Sequence, residues 1–314
     1  MGSKKVIYAA LIGNAGIAVT KFAASAYTGS SAMLSEAIHS LVDTSNQLLL
    51  LWGLRQARKP ADHEHPFGHG KEIYFWSFVV AIMIFALGAG FSIYEGIKHL
   101  THPRPVSNPM LNYVVLGVAM ALEGLAWLFA LKAFRAAKGR LGYLRAVREG
   151  KDPTLFVVLF EDSAAMLGLV VAFVGIWLGQ KTGLPYFDGA ASIVIGLLLG
   201  TVAIWLAHET KGLLIGESAQ TEVRREMVKF VRTESAVERV NELATLQMGP
   251  EYILVTMSLE FRDGLETDQL EQTITRLNDG LRERFPSVKR VFIEAESWAA
   301  HRRQVHDADT RDTD

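Results

Sequence analysis

Long apolar stretches dominate the first two thirds of the chain. Six of them stand out, at residues 6–27, 32–54, 73–97, 111–134, 155–178 and 187–207. Each is near or above the ~20 mainly apolar residues needed to cross ~30 Å of hydrocarbon, and all are too long for buried strands. Glycines such as Gly13, Gly16, Gly88, Gly90, Gly189 and Gly196 punctuate them, as small residues do where membrane helices pack closely. The pattern predicts an α-helical integral membrane protein with six transmembrane helices. A helical bundle with an unusually apolar soluble core is the alternative, and six regularly spaced segments count against it.

From Lys211 onward the pattern changes. Residues 221–233 read as a helix, 237–247 and 252–261 as strands, 267–285 as an amphipathic helix and 288–294 as a last strand. In 252–261, Ile253, Val255, Met257, Leu259 and Phe261 alternate with mostly polar neighbours. In 267–285, Leu270, Ile274, Leu277 and Leu281 form one stripe. The order α-β-β-α-β suits an α+β, ferredoxin-like domain. The expected division is a transport domain at 1–209, a cytoplasmic domain at 210–298, and a polar, disordered tail at 299–314.

Basic residues set an orientation for the spans. One side receives Lys4, Lys5, Arg55, Arg58, Lys59, Lys71, Lys132, Arg135, Lys138, Arg140, Arg145, Arg148 and Lys151; the other receives only Lys98, Arg104 and Lys181. Both termini are therefore expected in the cytoplasm, as an even number of spans requires. Residues 1–5 are basic, but no small-residue cleavage site closes a short apolar core, so the first stretch reads as a membrane helix rather than a signal peptide. The expectation is a multi-pass protein of a bacterial inner (plasma) membrane.

Composition narrows the chemistry. Half of the residues are hydrophobic, 21% are charged and the net charge is −1, which gives no hint of a nucleic-acid partner. The chain has no cysteine. Disulfides, thiolate metal sites and cysteine nucleophiles are excluded, and any metal must be held by nitrogen and oxygen.

Ionisable residues at membrane depth are costly and point to function. In the second apolar stretch His39 and Asp43 are four apart, so they share a helix face, and Asn46 continues the stripe. They sit ~12–18 Å along the span at 1.5 Å per residue. The fifth stretch contributes Glu161 and Asp162. An imidazole with carboxylates is a plausible tetrahedral zinc set; a polar packing network, or a proton relay without metal, is the other reading. The loop after the second stretch holds Asp62, His63, Glu64, His65, Pro66, Phe67, Gly68 and His69. It reads as a metal site or metal-collecting loop, against a solvated juxtamembrane loop.

These residues carry a resemblance. The run from Gly29 to Asp43, containing Ser35, Glu36, Ala37, Ile38, His39 and Ser40, resembles the cation diffusion facilitator family. So does His65-Pro66-Phe67-Gly68-His69-Gly70-Lys71, and so do six spans followed by a ferredoxin-like domain. The pair Glu161-Asp162 is similar to the branch of that family that includes the mammalian mitochondrial zinc exporter. The resemblance implies a homodimeric metal/proton antiporter working by alternating access. It places transport ligands at His39, Asp43 and Asp162, with Glu161 as an uncertain fourth, because the family's remaining helix 5 ligand falls on Val158. It also implies a loop site at Asp62, His65 and His69. No histidine lies between His208 and His301, so the histidine site of other members' cytoplasmic domains is not expected.

The expected function is proton-coupled efflux of a divalent transition metal, with zinc (Zn2+) as transported substrate. The partners are metal ions, protons, the lipid bilayer and a second copy of the chain. The ligands compete with protons, so binding depends on pH. A passive channel, or a membrane-anchored metal sensor or scaffold, are the rivals. An enzyme is not expected: no HExxH-type motif is present.

Overall fold

The computed structural model describes residues 2–139 and 142–311, with side chains described between 14 and 304 apart from a few positions near 140–148. Two compact units divide the chain, Met1–Lys59 with Glu72–Lys211 and Pro60–Lys71 with Gly212–Asp314.

The first unit is built of long helices. They are α1 (Gly2–Thr28), α2 (Ser31–Ala57), α3 (Glu72–Met83), α4 (Gly90–Thr101), α5 (Pro109–Lys138), the short α6 (Tyr143–Arg148), α7 (Pro153–Thr182) and α8 (Tyr186–Ile215). A π-helical turn, Ile84–Ala89, joins α3 to α4; such turns insert one extra residue per bond and bend the helix locally. Each of the six apolar stretches falls within a helix or this α3–α4 rod. Among the described residues four segments are long and apolar enough to cross a membrane: Glu72–Thr101, Pro109–Lys138, Pro153–Thr182 and Tyr186–Ile215. The α2 helix is less apolar because its buried face carries Glu36, His39 and Asn46.

Helix ends explain the boundaries. Pro109 and Pro153 occupy the first turns of α5 and α7, where a missing N–H costs nothing. Gly183 ends α7 with φ +73°, the left-handed cap that glycine adopts without a Cβ clash. Between α4 and α8 the backbones approach closely. A Cβ added at Gly96 would lie 2.8 Å from Gly189 O, so packing there requires hydrogen at both positions.

The second unit contains α9 (Thr221–Val231), β1 (Val237–Gly249), β2 (Tyr252–Phe261), α10 (Thr267–Arg284), β3 (Val288–Ala295) and α11 (Trp298–Arg311). The first five lie within two residues of the boundaries expected from sequence. The sheet order is β1-β2-β3. β1 pairs with β2 antiparallel and β2 with β3 parallel, α10 serving as the crossover. Val255, Met257 and Leu259 from β2, Met227 and Val231 from α9, and Leu277 and Leu281 from α10 form the core.

Two features differ from the sequence expectation. The segment 299–314, expected to be disordered, is helical through Arg311, with 312–314 outside the described residues. The helix is held at its start: Trp298 N–H donates to Glu260 Oε1 at 2.9 Å, Arg239 lies over the Trp298 ring, and His301 Nδ1 meets Glu296 Oε2 at 3.1 Å. The second difference is the loop Pro60–Lys71. It belongs to the second unit, not with the helices it connects. Phe67 packs edge-on against Phe292, and Lys71 Nζ donates to the carbonyls of Leu214 and Ile215.

Candidate metal centre

The α2 helix carries the centre, and its start is firmly anchored. Ser30 is the N-cap, its Oγ accepting from Met33 N–H. Asp188 of α8 then receives the Ser30 hydroxyl at 2.6 Å and the Ser31 N–H at 2.5 Å. A carboxylate at a helix N-terminus satisfies free N–H groups and complements the helix dipole. His39, two turns on, therefore stands on a fixed element.

His39 and Asp43 lie on one face as their spacing requires, with Nδ1 3.3 Å from Oδ1. His39 is 1% exposed. Among the described residues, neither ring nitrogen of His39 nor Asp43 Oδ1 has a hydrogen-bond partner. Buried polar atoms are nearly always paired, so three unpaired atoms side by side mark a place where something else binds. Asn46, one turn further, donates from Nδ2 to Glu161 Oε1 at 2.6 Å. Glu161 also lies within hydrogen-bond reach of Asp43.

The fifth-stretch pair is therefore used differently from expectation. Glu161, not Asp162, meets the α2 stripe: Glu161 is buried against Asn46 and Asp43, whereas Asp162 is half-buried and close to the cluster without a hydrogen bond to His39, Asp43 or Asn46 among the described contacts. Neighbouring helical residues point ~100° apart, so α7 can direct only one of them squarely at α2.

One turn towards the start of α2 lies a buried ion cluster. Lys21 Nζ of α1 donates to Glu36 Oε2 at 3.2 Å, to Ser40 Oγ at 2.8 Å and to Glu123 Oε1 of α5 at 2.8 Å. The sequence patterns above assign no role to Lys21, Glu36 or Glu123, and the structure joins the two glutamates through Lys21. The available signal was spacing: Glu36 precedes His39 by three residues and Asp43 by seven, so it extends the same stripe.

The loop expectation, Asp62 with His65 and His69, is the one set of three among the described residues whose ligand atoms all lie within 4.8 Å of one another. His69 Nε2 is 2.9 Å from Asp62 Oδ2, His65 Nδ1 is 3.4 Å from Asp62 Oδ1, and the imidazole centroids are 4.2 Å apart. Gly68 takes φ +80° and its N–H closes the turn on His65 O at 2.8 Å, which brings His69 back over Asp62. The hydrogen bond from His69, and then the His65 N–H, hold the Asp62 carboxyl down at about 2. Asp62 is thus an anion at any physiological pH, with two imidazoles beside it. Nitrogen and carboxylate donors at this separation suit zinc and its neighbours.

Comparison with known proteins gives a consistent picture. The model of the cation efflux transmembrane domain matches residues 7–215. A proton-coupled mitochondrial zinc antiporter of Xenopus laevis, SLC30A9, is 35% identical over 263 residues, covering 83% of this chain and 47% of the relative. Metal tolerance protein C4 of Arabidopsis thaliana is 33% identical over 250 residues, with 79% and 55% covered. The cation-efflux pump FieF of Klebsiella pneumoniae is 27% identical over 286 residues, with 86% and 90% covered. The chain spans about half the length of the first two of these relatives. A relative named as mitochondrial lends no support to the bacterial plasma membrane expected from sequence.

Proposed function

The chain belongs to the cation efflux family, the cation diffusion facilitators, and from that premise we propose that it exports a divalent transition metal, zinc, in exchange for protons. It is a multi-pass membrane protein. The observation that carries the reading is the fully buried His39, with both ring nitrogens unpaired beside Asp43.

Zinc must shed its water to enter a membrane, and His39, Asp43 and Glu161 would replace that shell, with Asp162 able to approach as the fourth donor. The nearness of the Asp43 and Glu161 carboxyl groups supports the coupling, because metal and protons compete for the same oxygens: zinc entering between the two would displace any proton held there, and zinc leaving would let one return. Asn46 keeps Glu161 turned towards this point. Asp62, His65 and His69 would collect metal before it enters the route. They stand in the second unit, so capture and translocation are served by different parts of the fold.

The same reading takes α1 and α2 as two further spans, giving six, with both termini on the cytoplasmic side. It takes the second unit as a ferredoxin-like domain lacking its first strand, which leaves β2 and β3 free to pair directly, and the working form as a homodimer. The printed names of the relatives, a proton-coupled zinc antiporter and a cation-efflux pump, support zinc, protons and efflux.

The test is reconstitution of the purified full chain into vesicles with an internal pH dye and a panel of metals. Zinc uptake should be accompanied by opposite proton movement. Zinc flux without proton movement would make the protein a channel. Zinc binding without flux would make it a sensor.

A further inference from the structure

The ion cluster beside the metal centre is put together like a coordination site. An ammonium group has three donors and no acceptor. All three donors of Lys21 are used, on Glu36 Oε2, Ser40 Oγ and Glu123 Oε1 at 2.8–3.2 Å. Lys21 and Glu36 are completely buried and the Glu123 side chain is 16% exposed. The acceptors come from α2 and α5, so two helices converge on one cation carried by α1.

The cluster also leaves acceptors unused. Two carboxyl groups face one ammonium, and Glu36 Oε1 and Glu123 Oε2 are buried with no hydrogen-bond partner among the described residues. Buried polar atoms are nearly always paired. A divalent cation in place of the ammonium would be bound by both groups as carboxylates and give the free oxygens a partner. The donors are two carboxylates and a hydroxyl with no nitrogen. Such sets suit hard ions such as Mg2+, Mn2+ and Ca2+, whereas imidazole favours zinc. Ca2+–oxygen distances of ~2.3–2.6 Å lie within about 1 Å of the distances Lys21 now spans.

We propose that Lys21 is a tethered cation seated in an oxygen-only divalent-cation site one turn from His39, and that it sets specificity by keeping hard divalent ions out of the transport route. A compact ammonium on a flexible four-carbon stem can fill such a site as a point charge. This leaves His39 with Asp43 and Glu161 as the open site, the one that contains an imidazole nitrogen. The inference goes beyond the identity of the cargo, because it concerns which ions are refused.

The experiment is Mn2+ binding to the purified full chain in lipid nanodiscs, followed by electron paramagnetic resonance and equilibrium dialysis. Lys21→Met should bind one more Mn2+ per chain than the unaltered protein, and in vesicles Mn2+ flux should rise at least tenfold. Adding Glu36→Gln and Glu123→Gln to Lys21→Met should remove the extra ion. A folded, monodisperse Lys21→Met protein with no extra Mn2+ would overturn the proposal. So would an extra Mn2+ that survives the two glutamine substitutions. If Lys21→Met does not fold, the absence of native cysteine allows Lys21→Cys to be alkylthiolated with an aminoethyl reagent, which restores a cation at the end of the side chain. Reducing that disulfide in the folded protein removes the cation in place. Mn2+ binding that appears on reduction supports the proposal, and unchanged binding overturns it. An unaltered protein that moved no zinc would end the transport reading, while the Mn2+ stoichiometries would still decide the role of Lys21.

Discussion

Asn46 Nδ2 donates a 2.6 Å hydrogen bond to Glu161 Oε1, tying α2 to α7 at the level of the His39–Asp43 pair. The bond fixes which way Glu161 points, and that direction brings its carboxyl group to Asp43. Partners that orient metal ligands typically contribute ten- to a hundredfold to affinity. Asn46→Ala should therefore weaken zinc transport by at least ~10-fold, mainly through apparent affinity, while the protein still inserts. Vesicle flux against zinc concentration measures this. Unchanged apparent affinity would detach Asn46 from the site.

The pair on α7 gives a sharper test. Glu161→Gln removes the carboxylate that meets Asp43, and it should abolish proton-coupled zinc flux. Asp162→Asn leaves that contact in place, and it should retain measurable flux with a shifted pH profile. The reverse ranking, with Asp162→Asn dead and Glu161→Gln active, would show that α7 turns during transport to present Asp162.

The legible parts of this protein follow from short-range periodicity. The stripe Glu36, His39, Asp43 and Asn46 is a helical face that can be counted along the chain, and the alternation in β2 is equally direct. The phase of α7 is not legible, because Glu161 and Asp162 are adjacent and only tertiary packing selects between them. The association of Pro60–Lys71 with the second unit was hidden for a different reason. It depends on contacts such as Phe67 with Phe292, more than two hundred residues apart, and no local pattern encodes them. The helix α11 was missed because its composition is polar. Its order comes from a few anchored residues, Trp298 and His301 above all, and an average over the segment dilutes them.

Gly168 faces the end of the Glu36 side chain. A Cβ at that position would collide with Glu36 Oε1, and overpacking a tight contact typically costs about 1–3 kcal/mol. Gly168→Ala should lower the melting temperature in detergent, and Gly168→Ala with Glu36→Ala should recover part of the loss. A single variant as stable as the parent would mean that Glu36 moves freely.

The C-terminal helix should contribute to the stability of the second unit. His301 Nδ1 and Ser258 Oγ both reach Glu296 Oε2, and Asn241 Nδ2 reaches Ser258 Oγ and Glu296 O. Deleting residues 298–314 removes His301 and the Trp298 ring from this network. Hydrogen exchange of β1 and β2 amides near Asn241 and Ser258 should accelerate, with a loss of about 1–2 kcal/mol for one buried polar contact and its packing. Unchanged protection would make α11 a passenger on the sheet.

The loop site predicts a specific pH dependence. Hydrogen bonds from His69 and the His65 N–H hold the Asp62 carboxyl at about 2, below the ordinary ~3.9 of aspartate. The sign follows from linkage. A depressed carboxylate favours the folded loop above its unfolded value, and this contribution is lost only as pH falls towards about 2. Between pH 7 and pH 4, Asp62 therefore stays charged. Asp62→Asn should lower the zinc affinity of the loop by roughly tenfold or more, by analogy with other lost carboxylate partners of a metal. His69→Ala should do two things, reduce affinity and release Asp62 from the partner that depresses it most. Carbon-detected NMR of the Asp62 carboxyl in the metal-free protein would then show titration closer to ~3.9. A midpoint unchanged from the unaltered protein would show that His69 does not hold Asp62, and the geometry assigned to the loop site would fail with it.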